Sequence, residues 1–170
     1  MGKYVVEPAM LTAAQQDYVE VIYRLELERG DEPVRISDIA ERLGTRLPTV
    51  TRTVQKLTAA KVVRHDSRKE VTLTEKGRQI GREIVHRHDD LVKFFVQVLG
   101  LSEAEAERDT CQIEHGLSGK ASQRLHEFLV YLRELGEDER LILERFLESV
   151  SKGHKDFEHL PRRLTDGWRS

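Results

Sequence analysis

Ile36-Ser37-Asp38-Ile39-Ala40-Glu41-Arg42-Leu43-Gly44, and after a short turn Pro48-Thr49-Val50-Thr51-Arg52-Thr53-Val54-Gln55-Lys56-Leu57-Thr58-Ala59-Ala60, carries the clearest structural signal in the chain. Ile36, Ile39, Ala40 and Leu43 recur at helical spacing and form one inner face; Val50, Val54 and Leu57 form a second. Ser37 is a candidate N-cap, Gly44 a C-terminal stop, and Pro48 fits the first turn of the second helix, where its missing donor costs nothing. Two short helices joined by a tight turn containing glycine read as a helix-turn-helix. The second helix leaves Thr49, Thr51, Arg52, Thr53, Gln55 and Lys56 outside, mainly short hydroxyls and long hydrogen-bond donors.

The flanks extend the pattern. Leu11 to Arg29 reads as a preceding helix with an apolar stripe of Tyr18, Val21, Ile22 and Leu25, ended by Gly30-Asp31-Glu32-Pro33. Val62-Val63-Arg64-His65 and Glu70-Val71-Thr72-Leu73 are β-branched runs around Asp66-Ser67-Arg68-Lys69, which predicts a hairpin with a charged tip. Three helices and a basic-tipped hairpin make the winged helix-turn-helix order. Over the 170 residues the formal charge is −2, with 38% hydrophobic and 34% charged residues, which argues for a helix-rich chain and against a generally basic nucleic-acid binder. From Gly44 to Lys69, however, Arg46, Arg52, Lys56, Lys61, Arg64, Arg68 and Lys69 face the single acid Asp66. A basic patch on an acidic body is the footprint of a local phosphate contact. Arg52 is the candidate for reading a guanine edge; Thr49, Thr51, Thr53 and Lys56 are candidates for bases and nearby phosphates, and Arg64, Arg68 and Lys69 for the backbone through the wing.

Downstream, Thr74-Glu75 caps a long helical segment to about Leu99, with Ile80, Ile84, Val85, His88, Leu91, Phe95 and Val98 on its apolar face. Ser102-Glu103-Ala104-Glu105 is a capping box for the next helix, and Ala121–Leu135 and Asp138–Val150 are two more amphipathic helices. Ser151 to Ser170 has no sustained period. The lone cysteine excludes an intrachain disulfide and a Cys-only zinc site, and no stretch approaches the ~20 apolar residues of a membrane helix. Cytoplasm is the expected setting.

Cys111-Gln112-Ile113-Glu114-His115 holds the chemistry. Within what reads as one helix, thiol, carboxylate and imidazole fall at i, i+3 and i+4, on one face within reach of one cation. Further donors would come from Asp17 and Glu20, three residues apart on the first helix, and from His88. Each has an ordinary reading too: charged pairs are commonly solvated, carboxylates in an early helical turn complement its dipole, and a histidine on an apolar face is often a hydrogen-bonded core residue.

In this order the pieces resemble the metal-dependent repressors of the diphtheria toxin repressor and manganese transport regulator family, over roughly residues 13–135. The resemblance is carried by Asp17-Tyr18-Val19-Glu20-Val21-Ile22-Tyr23, Ile39-Ala40-Glu41-Arg42-Leu43, Pro48-Thr49-Val50, Thr53-Val54-Gln55-Lys56-Leu57, Leu73-Thr74-Glu75-Lys76-Gly77, Arg87-His88 and Ile113-Glu114-His115. It implies that Asp17, Glu20, His88, Cys111, Glu114 and His115 surround a one- or two-ion site. Asp17 stands where manganese-selective members have aspartate; Cys111 stands where those members carry glutamate and iron-type members cysteine. The iron-type ancillary ligands are replaced by Val92 and Glu107, and Glu107, one turn before Cys111, is a substitute for the carboxylate missing at 111. Oxygen and imidazole donors suit Mn²⁺ or Fe²⁺, whereas a thiolate contact favours Zn²⁺ or Co²⁺.

The expectation is therefore a mainly α protein with a winged helix-turn-helix DNA-binding domain (1–74), an α-helical metal-binding and dimerisation domain (75–151) and a C-terminal tail (152–170). It would act as a homodimeric, divalent-metal-dependent repressor of metal homeostasis genes on palindromic double-stranded operator DNA, with no membrane partner and no small organic substrate. A winged-helix regulator answering to an organic ligand is the alternative. Enzyme activity is not expected, because no His-Glu-x-x-His segment or nucleophile elbow is present.

Overall fold

A reciprocal capping box between Thr12 and Gln15 starts the first helix. The computed structural model describes residues 11–65 and 70–152, and in it α1 spans Ala13–Arg29. Strand β1 (Val34–Arg35) runs directly into α2 (Ile36–Arg42), and α3 (Leu47–Ala59) follows the turn at Gly44. Gly44 has φ +59°, a left-handed conformation that costs a glycine little because it has no Cβ. Ser37 does not cap α2. The cap is Arg35, whose backbone N–H donates to Asp38 Oδ2 at 2.8 Å, a reach-back that a serine already inside the helix cannot make.

The wing is β2 (Val63–His65) and β3 (Glu70–Leu73), and β1 pairs antiparallel with the other edge of β3, giving the order β1-β3-β2. The hairpin expected from the sequence thus gains a third strand, which two residues are too few to announce by alternation. Asp66–Lys69, with the expected wing contacts Arg68 and Lys69, lie outside the described residues, as do 1–10 and 153–170.

Helix α3 buries Val50, Val54 and Leu57, the face read from their spacing. They join Tyr18, Val19, Ile22 and Leu25 of α1, Ile36 and Ile39 of α2, and Val63, Val71 and Leu73 of the sheet in one cluster. Each fully buried aliphatic side chain contributes about 1.5–3 kcal/mol, so this cluster holds the head together. Ile80 and Ile84 belong to the same cluster, so α4 (Glu75–Lys93) begins inside the head before leaving it. Its start is pinned: Thr74 Oγ1 donates to Lys61 C=O at 2.8 Å and accepts from Gly77 N–H at 3.0 Å. Gly77 lies so close that a Cβ would stand 2.1 Å from Val62 O, and no side chain fits.

Beyond Lys93 the expected continuous helix changes winding. Phe94–Val98 is a π turn, with Leu99 N–H reaching Phe94 C=O at 3.2 Å. Then come α5 (Glu103–Ile113), started by the expected Ser102 and Glu105 box, a 3₁₀ turn at Glu114–Gly116, α6 (Gly119–Glu134) and α7 (Glu137–Ser151). α6 starts two residues before Ala121 because Ser118 Oγ accepts from Ala121 N–H. These last helices bury little. α6 buries only Leu129 and leaves Phe128 and Tyr131 exposed; on α7, Leu141, Ile142, Phe146 and Val150 are exposed. No described helix is long and apolar enough to cross a membrane.

Candidate metal centre and DNA-facing surface

The donor stretch straddles the end of α5. Cys111 is in the last turn of α5, but Ile113 is its final α-helical residue and Glu114 begins the 3₁₀ turn. The five-residue stretch is therefore not one regular helix face. The His115 imidazole faces α1, with its Nε2 2.8 Å from Asp17 Oδ1. Donors of the stretch fall into two groups, each with atoms within 4.8 Å of one another: His88, Cys111 and Glu114, and Asp17, Glu114 and His115. Glu114 is common to both.

Glu114 is 2% exposed. Its Oε2 lies 2.9 Å from His88 Nδ1, and its Oε1 lies 3.5 Å from His115 Nε2. Asp17 Oδ1 lies 2.8 Å from the same His115 nitrogen. Glu107, one turn before Cys111, reaches the other side of His88, with Oε2 3.0 Å from Nε2. Glu20 is in neither donor group; it accepts from Arg24 Nε on its own helix at 2.8 Å, and Arg24 also holds Asp89 at 3.2 Å. The charge of Glu20 still acts on the centre. The hydrogen bond that His88 donates to Glu114, aided by the charges of Glu20 and Glu114, pushes the His88 imidazole up to about 9 against the opposing effect of burial. Burial, and then the surrounding Glu114, Glu107, Glu20 and Asp17, push the Cys111 thiol up as well.

Imidazole, carboxylate and thiol donors converging from four elements, α1, α4, α5 and the 3₁₀ turn, fit a first-row divalent cation. The oxygen and nitrogen donors suit Mn²⁺ or Fe²⁺, and the sulfur is the softer addition. Spacing gave no sign of the residues behind this centre. Gln16 is 5% exposed and accepts from Arg87 Nη2 at 3.0 Å; Arg87 is itself buried, and burial lowers its pKa. Buried Asp90 lies 2.9 Å from His126 Nδ1, tying α4 to α6. These polar residues stand on helix faces that a hydrophobic pattern counts as interior, and only their partners explain them.

On the head, Thr49, Arg52 and Lys56 are exposed along one side of α3, and Arg64 is exposed on β2. Thr53 is partly buried. Thr51 donates its hydroxyl proton to Leu47 C=O at 3.0 Å, which leaves it only as an acceptor towards an outside partner.

Comparison with known proteins agrees with this arrangement in both halves. Residues 10–71 match the profile described as the iron dependent repressor N-terminal DNA binding domain, and residues 74–140 match the iron dependent repressor metal binding and dimerisation domain. The chain is 40% identical to the HTH-type transcriptional regulator MntR of Geobacillus kaustophilus (strain HTA426), over 88% of this chain and 100% of that protein. It is 35% identical to the regulator of the same name from Bacillus subtilis (strain 168), over 84% of this chain and 95% of that one. Among solved structures, one described as a manganese-dependent transcriptional repressor in complex with manganese matches with a TM-score of 0.62 at 31% identity, covering 69% of this chain and 53% of that chain. The chain thus spans about half the length of that solved structure, and all or nearly all of the two curated regulators. With a DNA-binding head and a metal-binding, dimerising body matched in order, the chain belongs to the iron-dependent repressor family and is a metal-dependent transcriptional repressor.

Proposed function

We propose that this repressor senses Mn²⁺ or Fe²⁺ in the cytoplasm and, when loaded, binds a palindromic operator as a homodimer to control metal homeostasis genes. The observation that carries the reading is Glu114: one buried carboxylate belongs to a donor group with His88 and Cys111 and to another with Asp17 and His115. Asp17 is on α1, which packs against α2, α3 and β3 of the head, whereas Cys111, Glu114 and His115 belong to the body. An ion held by both would stabilise one orientation of head against body. Glu20, beside them on α1, is the further carboxylate available once an ion competes with Arg24 for it.

Such a switch works only if the ion binds the DNA-competent arrangement better than the loose one. Moving a population from 1:99 to 99:1 takes about 5.5 kcal/mol of differential binding, which favours ligands drawn from both parts. The dimer then presents two α3 helices to successive major grooves, ~34 Å apart on one face of the DNA. The regulators named above and the manganese complex support Mn²⁺; a thiolate contact from Cys111 would move the preference towards Zn²⁺ or Co²⁺.

The test is a titration of metal-stripped protein onto an operator selected from random DNA, with Mn²⁺, anaerobic Fe²⁺, Zn²⁺ or chelator. Tighter binding with Mn²⁺ or Fe²⁺ is expected. Equal affinity in every condition would sink the sensing reading in favour of a regulator answering to an organic ligand.

Two further outcomes follow. A histidine ligates through a free lone pair, so an ion taking His88 displaces its proton. Because Glu114 raises this imidazole to about 9, Mn²⁺ affinity should rise with pH from neutrality towards about 9. Calorimetry in two buffers of different ionisation enthalpy would count the proton released. On the DNA, Arg52→Ala should cost about 1–3 kcal/mol against the operator and relax its specificity, while Arg64→Ala weakens all sequences alike and lowers the salt slope by about 1. Equal losses of specific and nonspecific binding for Arg52→Ala would remove it from base reading. Thr49 and Lys56 flank Arg52 on the same surface, and Thr51, Thr53, Arg68 and Lys69 complete the proposed contact set.

A further inference from the structure

We infer that Glu107 and Gln16 are positioning residues, each holding the outer nitrogen of one histidine, His88 and His115 respectively, so that the inner nitrogen faces the ion. This rests on the metal-sensing reading above. The two ring lone pairs of an imidazole diverge, so one ion takes one nitrogen, and the partner of the other sets the tautomer and the ring angle.

The two sides of His88 are unlike. Nδ1 faces Oε2 of Glu114, whose side chain is 3% exposed and which both donor groups share. Nε2 faces Oε2 of Glu107, whose side chain is 57% exposed. Nδ1 is the ligating nitrogen, and Nε2–H donates outward to Glu107. The Glu107 carboxylate stands across the ring from the shared donors, so it acts through His88 and not on the ion.

His115 is turned the other way. Its Nε2 faces Asp17 at 2.8 Å and Glu114 at 3.5 Å, and its Nδ1 lies 3.1 Å from Gln16 Oε1. The amide of Gln16 cannot flip without loss. Oε1 also accepts from Arg87 Nη2 at 3.0 Å, and Nε2 donates to Leu11 C=O at 3.2 Å, so a flip would set the amide NH₂ against a guanidinium and leave that carbonyl facing an oxygen. With an acceptor fixed there, Nδ1 keeps the proton and Nε2 is free to ligate.

The experiment is a Co²⁺ titration of the full chain, read by absorption spectrum and bound equivalents, with Mn²⁺ competition for affinity. Glu107→Ala should weaken binding ~10–100-fold, the usual cost of losing an outer-shell partner, without changing the Co²⁺ spectrum or stoichiometry. Glu107→Gln, which keeps an acceptor for Nε2–H, should restore most of the affinity. Gln16→Ala should weaken binding similarly, and Gln16→Glu should retain it. A spectrum altered by Glu107→Gln, or an equivalent of Co²⁺ lost, would make Glu107 a ligand and overturn the inference. Wild-type affinity in both alanine variants would overturn it too. A wild-type chain that bound neither Co²⁺ nor Mn²⁺ would instead bring down the sensing reading and this inference with it.

Discussion

Glu114→Ala is expected to make operator affinity the same with Mn²⁺ as with chelator. Fluorescence anisotropy on labelled operator measures the response, and Mn²⁺ titration measures the cause. Loss of an outer-shell residue costs up to ~100-fold in metal affinity, and Glu114 is the buried carboxylate common to both donor groups, so its removal should exceed that. The side chain also holds His88 at 2.9 Å and is the leading source of charge compensation for buried Arg87, so some loss of stability accompanies the change. Glu114→Gln preserves shape and separates the two effects: the metal response should still vanish while folding is better retained. A full Mn²⁺ response in both variants would remove Glu114 from the centre, and with it the argument that one residue couples head and body.

The second large effect lies in assembly. Ile142→Asp should convert the dimer to monomers and lower operator affinity by about 10²–10⁴ even at saturating metal, because each head then binds its half-site without the effective concentration supplied by a linked second head. Ile142 is 73% exposed within one chain, alongside Phe128, Tyr131, Leu141 and Phe146, and α7 as described buries no side chain of its own. That apolar surface is expected to contact a second copy, since α7 begins within the residues 74–140 that match the dimerisation domain. Sedimentation velocity would read the mass. The melting temperature of the head should hardly move, since its core is formed elsewhere. An Ile142→Asp protein that remained dimeric would shift the interface to another face.

Much of the head could be read in advance because it follows local rules. The spacing of Val50, Val54 and Leu57 sets a helix face whatever lies opposite, and Ser102 with Glu105 forms a capping box from four consecutive residues. Reading failed where a distant or competing group intervened. Ser37 lost the cap of α2 to Asp38 reaching back to Arg35, and β1 exists because β3 offers it an edge. Val19, with no exposure at all, sits off the stripe read from Tyr18, Ile22 and Leu25 because α1 is enclosed on several sides by α2, α3, α4 and β3.

The same division holds at the centre. From the sequence came the donor types, the basic patch around α3 and the order of head and body, all of which depend on residues near one another in the chain. How the donors are shared depends on packing between distant elements. His115 meets Asp17 of α1 while Cys111 stands with His88 of α4, partners brought in from distant parts of the chain by packing. Gln16 and Arg87 became legible last, because a buried polar side chain has meaning only through its partner, and here Gln16 stands 71 residues from Arg87 and 99 from His115.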